Sequence, residues 1–198
     1  RLGVIGAGQF AGAVLLPALK AASGARLEVV NSAGGVTAEA ARRHFGFTRV
    51  AASPDDVIGA SDVDAVVVTT RHDSHAALVA AALRAGRPCF VEKPLAIRRE
   101  GLDDVLAAMA ERPGLVCVGV NRRFAPGIVA LREKLAHRTS PLHARYRVNA
   151  GKLPAGHWTL DRDVGGGRVL GECCHFLDLL AHVADSPVVR VQADAVGD

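Results

Sequence analysis

The 198-residue sequence contains no apolar run long enough to cross a membrane. Its longest stretches are broken by Arg, Asp, Gly or Pro well before the roughly 18 to 20 residues a span requires. It also lacks the charged start, apolar stretch and cleavage site of a secretory leader. Cysteine is scarce: Cys89, Cys117, Cys173 and Cys174 form no C-x-x-C pair, and two of them fall in segments that read as buried strands. Reduced thiols in a reducing compartment are expected, and with them a cytoplasmic location. Lysine is equally scarce. The net charge of +4 and pI near 9.2 come from 20 Arg against 4 Lys, scattered along the chain. Without a basic tract, no nucleic-acid surface is expected; an anionic cofactor or small-molecule substrate would account for some of the arginines. There is no internal repeat and no low-complexity tract.

With 49% hydrophobic and 22% charged residues, the chain can bury one good core and part of a second. Through residue 120, strand and helix signals alternate at the spacing of βαβ units, which predicts a parallel sheet covered on both faces. Short β-branched runs at Leu2–Ile5, Leu27–Val30, Ala65–Thr69, Pro88–Val91 and Leu115–Val120 read as buried strands. Phe10–Ala22, Thr37–Phe45, Ser74–Ala85 and Leu102–Glu111 read as helices, with Ser74 as an N-cap and Gly86 as a C′ glycine. Pro17 conflicts with an unbroken first helix.

Beyond Val120 the pattern changes to a helix at Pro126–Ala136, an alternating strand at Leu142–Ala150, an irregular Gly/Pro segment, a helix from Gly167 to about Ala184 and a strand at Val188–Val196. The expected fold class is α/β. A Rossmann-type, doubly wound parallel sheet over residues 1–121 precedes the start of an incomplete α+β open-sheet domain over residues 122–198. Both ends read as cut, and the unpartnered last strand predicts a homo-oligomer built through the open sheet in the full-length protein.

Three groups of residues carry chemistry. Gly6-Ala7-Gly8-Gln9-Phe10-Ala11 lies between a strand and a helix, the context in which G-x-G-x-x-G/A binds a dinucleotide. Its glycines permit a tight turn and close approach of the pyrophosphate, and Ala11 lets the helix pack on the sheet. The second strand ends in Asn31-Ser32 without the acid that holds an adenosine ribose. Ser32, with Arg42 or Arg43 in reach, suits a 2′-phosphate and tilts the reading of NAD(P) toward NADP; a solvated arginine face is the alternative. Glu92-Lys93-Pro94 follows a buried strand where open α/β sheets place ligands, so Lys93 is positioned to meet a substrate hydroxyl; Pro94 raises the prospect of a cis peptide.

On the helix behind Gly165-Gly166-Gly167, the residues Glu172, His175, Asp178 and His182 recur at spacings of three, three and four and share roughly one face. Glu172 and His175 come nearest the glycine entry, whereas Asp178 and His182 are expected to meet each other or solvent. No metal is expected. Consecutive Cys173, Cys174 and His175 point in different directions on a helix, and no second spaced ligand pair exists.

These marks, together with Thr69-Thr70, His75 and the Ala85-Gly86 to Leu95 block, resemble the Gfo/Idh/MocA family of glucose-fructose oxidoreductase and inositol dehydrogenase across nearly the whole chain. The resemblance implies cofactor contacts from Gly6, Gly8, Gln9, Phe10, Ala11, Ser32, Thr69, Thr70, Arg71, His75, Glu92 and Lys93. It implies a substrate site beside the nicotinamide with Lys93 and His175 as catalytic groups. The family's aspartate, four residues before that histidine, falls on Gly171; Glu172, one helical step away, is the candidate replacement. Arg122, Arg123, Arg147 and Asn149 are candidate ligands for substrate oxygens or a charged group.

The variants Thr70-Arg71-His72-Asp73, Asn121-Arg122-Arg123-Phe124, Arg147-Val148-Asn149 and Gly171-Glu172-Cys173-Cys174-His175 are similar to two-part oxidoreductases in which this unit follows a zinc alcohol dehydrogenase-like part. The implied function is NAD(P)-dependent hydride transfer on a sugar-like or polyol-like secondary alcohol or ketone. A non-catalytic dinucleotide-binding module that supports a partner domain is the alternative.

Overall fold

The computed structural model describes residues 1–194. Six parallel strands form one sheet in the order β3-β2-β1-β4-β5-β6: β1 Leu2–Ile5, β2 Leu27–Asn31, β3 Arg49–Val50, β4 Ala65–Val68, β5 Cys89–Val91 and β6 Val116–Val118. The order reverses between β1 and β4, which marks the ligand crevice of a doubly wound sheet. The strands are apolar on both sides because both sides are covered. Val66 and Val68 of β4 face Val57, Val79, Leu83 and Val105, whereas Val67 faces the cluster of Leu16, Ala41 and Phe47.

The covering helices are α1 Leu16–Ala21, α2 Gly35–Phe45, α3 Pro54–Ile58, α4 His75–Arg84 and α5 Arg99–Glu111. β3 and α3 have no counterpart among the sequence expectations. Two residues of strand are too short for a pattern, but α3 carries a legible start: the Ser53 hydroxyl accepts from Asp56 N at 3.1 Å while Asp56 accepts from Ser53 N at 2.9 Å, a closed capping box. The conflict at Pro17 resolves through a π-helical turn at Ala11–Leu15. It ends in a Leu16 N–H bond to the Ala11 carbonyl, and Pro17 then falls in the first turn of α1, where a missing N–H costs little.

Ser74 stands at the N-cap position of α4, as expected, but its hydroxyl makes no capping bond. It closes a 3-10 turn, His72–Ser74, and its hydroxyl donates to the Arg71 carbonyl at 3.0 Å. Gly86 does end α4, with φ +73° and a bond from Arg87 N back to Ala82 O at 2.8 Å. Cys117 is exposed, not buried, because β6 is an edge strand.

Residues beyond 120 form a 3-10 turn at Asn121–Phe124, α6 Pro126–Leu135, a second 3-10 turn at Trp158–Leu160, a second π-helical turn at Val169–Cys173 and α7 Cys174–Ala184. The expected strand at Leu142–Ala150 is absent, and residues 188–194 of the expected last strand are irregular; residues 195–196 lie outside the described residues. An alternating pattern becomes a strand only beside another strand, and the described residues supply none there. α7 instead packs against α6 and the 121–124 turn, and its Leu179 and Val183 are buried.

Candidate functional site

β1 delivers the chain to Gly6 at φ +101°, where an added Cβ would meet the backbone of Thr69 and Thr70 at 2.6 to 2.8 Å. The Thr69 hydroxyl donates to the Gly6 carbonyl at 2.8 Å and ties the end of β4 to this turn. Gly6 is therefore needed by packing. Gly8 is different: a Cβ there meets nothing within 4 Å, so it borders open space at the turn that opens into the first helix. That space, at the C-terminal end of β1 beside the reversal of strand order, fits a pyrophosphate approaching free helix N–H groups.

A cleft of about 720 Å³ runs from this end of the sheet to α7, a volume within the usual range for small-molecule sites. Of the residues expected from sequence, Phe10, Thr69, Thr70, His75, Glu92, Lys93, Arg122, Arg147, Asn149, Glu172 and His175 line it. Gln9, Ala11, Ser32, Arg71 and Arg123 lie outside its wall. Ala11 is buried under the helix, and the Arg71 guanidinium lies 5.8 Å from the Trp158 ring centre. Arg123 binds Asp178, with Nε donating at 2.8 Å, so the side chain of Asp178 pairs with Arg123 and not with His182. Arg42 and Arg43 both converge on Glu39 at 2.7 Å and hold its carboxyl down at about 2.

Lys93 lies just past β5, and its peptide bond to Pro94 is cis. Its Nζ donates to the Gly171 carbonyl at 2.6 Å, which joins the sheet end to the π-helical turn ahead of α7. Gly171 has little room for a side chain, because a Cβ would come within 3.1 Å of Thr159 Cγ2 and 3.2 Å of His72 Cε1. Next to it, Glu172 accepts two bonds from Arg168, at 3.1 and 2.9 Å. Glu92 sits beside Gly119, where a Cβ would strike its carboxyl at 2.6 Å, and burial raises its pKa.

Three histidines meet the cleft, and burial lowers all of them. His75 is fully buried, with Nδ1 against the Pro94 carbonyl at 2.8 Å and Nε2 against the Thr70 carbonyl at 3.1 Å, so it ties the ends of β4 and β5 together. His72 donates from Nδ1 to the Gly165 carbonyl at 2.8 Å and meets Trp158 edge-on at 4.7 Å. That bond sets the tautomer with Nε2 unprotonated. His175 is held down to about 4 by burial, then by the charges of Lys93 and Arg122, and its buried Nδ1 has no hydrogen-bond partner among the described residues. A neutral imidazole beside an amine donor is suited to move the proton of a bound hydroxyl.

His72, Asn121, Tyr146, Trp158 and Phe176 also line the cleft without having been singled out as site residues from sequence. They come from segments far apart in the sequence: the turns at His72–Ser74, Asn121–Phe124 and Trp158–Leu160, the irregular stretch around Tyr146, and α7. For His72 a signal existed, its place two residues past the Thr69-Thr70 strand end. Among the described residues no three His, Cys, Asp or Glu side chains converge as a metal site, and no helix is long and apolar enough to cross a membrane.

The family model GFO_IDH_MocA, an oxidoreductase family with an NAD-binding Rossmann fold, matches residues 1–120. Inositol 2-dehydrogenase of Paracoccus denitrificans is 36% identical over 191 residues, covering 86% of this chain and 57% of that protein. A solved putative myo-inositol dehydrogenase from Sinorhizobium meliloti superimposes with TM-score 0.80 at 29% identity, over 93% of this chain and 55% of that one. KijD10, a 3-ketoreductase from Actinomadura kijaniata solved with NADP and TDP-benzene, gives TM-score 0.78 at 27% identity, over 94% and 57%. The chain thus spans a little over half the length of these relatives.

Proposed function

The chain belongs to the Gfo/Idh/MocA oxidoreductase family, with its NAD-binding Rossmann fold, and from that premise we propose that it carries the cofactor site and much of the substrate site of an NAD(P)-dependent dehydrogenase acting on a sugar-like or polyol-like alcohol or ketone. The observation that carries this reading is the convergence of Lys93 and His175 on one cleft at the C-terminal ends of the strands. The inositol dehydrogenase and 3-ketoreductase relatives support the substrate class.

The bound nicotinamide supplies the acceptor or donor of hydride. Lys93 Nζ, anchored on the Gly171 carbonyl, is placed to donate to the reacting oxygen. His175, kept neutral by burial and nearby cations, takes the hydroxyl proton in the oxidation direction and returns it in reduction. Glu172 is a weak candidate for proton transfer because Arg168 occupies its carboxylate. Thr69 and His75 shape the cofactor side, and Gly8 leaves room for its phosphates. The lean toward NADP rests on Ser32 and the missing acid alone, since Arg42 and Arg43 are committed to Glu39.

Residues 1–121 as cofactor domain and 122–198 as the start of a substrate domain remain part of this reading, as do a homo-oligomer in the full-length protein, a cytoplasmic setting and a place behind a zinc alcohol dehydrogenase-like part. The last rests on motif variants only. Incubating the full-length protein with C4-deuterated reduced cofactor and a panel of keto-sugars tests the function: deuterium should appear on the reduced carbon. Tight cofactor binding with no label transferred to any of them supports the second reading, a non-catalytic dinucleotide-binding module. Among the described residues, the carboxylates three positions to either side of His175, Glu172 and Asp178, are both engaged by arginines, and that favours the module.

A further inference from the structure

The acids at the cleft are all accounted for, while its cations are not. Glu172 is bound by Arg168, and Asp178, farther along α7, is bound by Arg123. Glu92 is the remaining carboxyl of the wall, and burial disfavours its charged form. Opposite stand Lys93, whose Nζ donates to a neutral carbonyl, and two arginines with no acidic partner among the described residues, Arg122 and Arg147. The other charged groups around the cleft, Arg71 over Trp158 and Arg168 on Glu172, do not reverse this balance.

Arg122 is also pre-oriented. Its guanidinium lies 4.8 Å from the Phe176 ring centre, Tyr146 stacks on that ring at 5.2 Å, and Arg122 Nη1 donates to Tyr146 Oη at 3.4 Å. An aromatic face holds a guanidinium while leaving most of its N–H fork free, and that fork matches a planar carboxylate or a phosphate. Its charge reaches the reacting end of the cleft, since Arg122 is one of the two cations that keep His175 deprotonated. The dinucleotide's own phosphates have a separate cradle at Gly8.

We propose that the substrate is a polyhydroxylated anion, a sugar acid or a sugar phosphate, whose charged group rests on Arg122 and Arg147 while its reacting carbon lies at Lys93 and His175. The reacting half of this pose rests on the dehydrogenase reading; the anion's place rests on the charge balance.

Titration calorimetry of the cofactor-loaded, full-length protein tests it, with hexuronates, hexose phosphates and the matching neutral hexoses as probes. At least one class of anion should bind about 10-fold or more tighter than its neutral partner, as expected for a charge-assisted pair. Uronate and phosphate arms identify which oxyanion the site takes. Arg122→Gln and Arg147→Gln should each shrink the anion-to-neutral ratio about 10-fold, and Arg147→Lys should shrink it less because the charge remains. Added salt should weaken the anion and not the neutral sugar, a readout that stands even if a variant fails to fold. Neutral hexoses binding as well as every anion, or a ratio that survives in both glutamine variants, would overturn the proposal. Anion preference without turnover would sink the dehydrogenase reading alone, and turnover without anion preference would sink this proposal alone.

Discussion

The two halves of the molecule are held together by different forces. Among the described residues, every buried apolar side chain but Leu179 and Val183 lies at or before residue 120, where they fill both faces of the sheet. The later part is fastened mostly by polar tethers: Arg123 on Asp178, Arg132 and Arg138 on the carbonyls of His182 and Ala184, Lys93 on Gly171 and His72 on Gly165. The contrast places the cleft between a rigid, apolar frame and a wall set by hydrogen bonds. Apolar burial carries no charge to titrate or screen, whereas the Arg123–Asp178 ion pair is screened by salt and the His72 tether titrates, so the two sides of the cleft should respond differently to the same perturbation.

The largest difference should come from the core. Ile5→Ala removes a side chain that is 1% exposed between two sheet neighbours and should cost about 2 to 5 kcal/mol in global stability by urea unfolding. A cost below about 1 kcal/mol would mean that the sheet is not the stable half. At the glycine turn, Gly8→Val should leave the unfolding midpoint close to wild type, since nothing lies within 4 Å of its Cβ, while weakening NAD(P) binding by about 10-fold or more. Equal loss of stability and affinity would refute the distinction drawn between Gly8 and the packed Gly6.

Acid should act on the cleft wall. His175 on α7 and His72, bonded to the Gly165 carbonyl, bind a proton less readily folded than unfolded, chiefly through burial. Their stabilising effect is complete above the ordinary histidine value of about 6.5 and is lost as pH falls from there, for His175 down to about 4. Amide exchange in α7 should rise over that window before β1 or β4 opens, and simultaneous opening would contradict a two-part stability. The smallest effect belongs to Arg123→Gln. It should cost about 0.5 to 1 kcal/mol, expressed as faster exchange in α7 with an unchanged core.

The sheet was legible because buried parallel strands are short β-branched runs, as at Ala65–Val68, and because the glycine turn sits between such a run and a helix. β3 escaped because two residues carry no period, and α3 escaped although its Ser53-x-x-Asp56 box is written in the sequence. Lys93 could be placed at the cleft because a strand end dictates where it lies. Arg122 and Arg123, adjacent in sequence, could not be told apart: the acid that engages Arg123 is 55 residues away. Glu172 was read on an ideal helical wheel, whereas the π-helical turn at Val169–Cys173 and the neighbouring Arg168 set its actual direction and partner. The alternating segment Leu142–Ala150 shows the opposite failure, a correct period without a neighbouring strand to pair with.

We propose that hydride chemistry takes place in the cleft between the sheet and α7, with Lys93 at its centre. Single-turnover hydride transfer in the full-length Lys93→Met protein, with cofactor affinity measured alongside, tests it most directly. We expect cofactor binding to be retained and transfer to slow by about 100-fold or more, the scale of a positioned acid–base group. Transfer at the wild-type rate would contradict it.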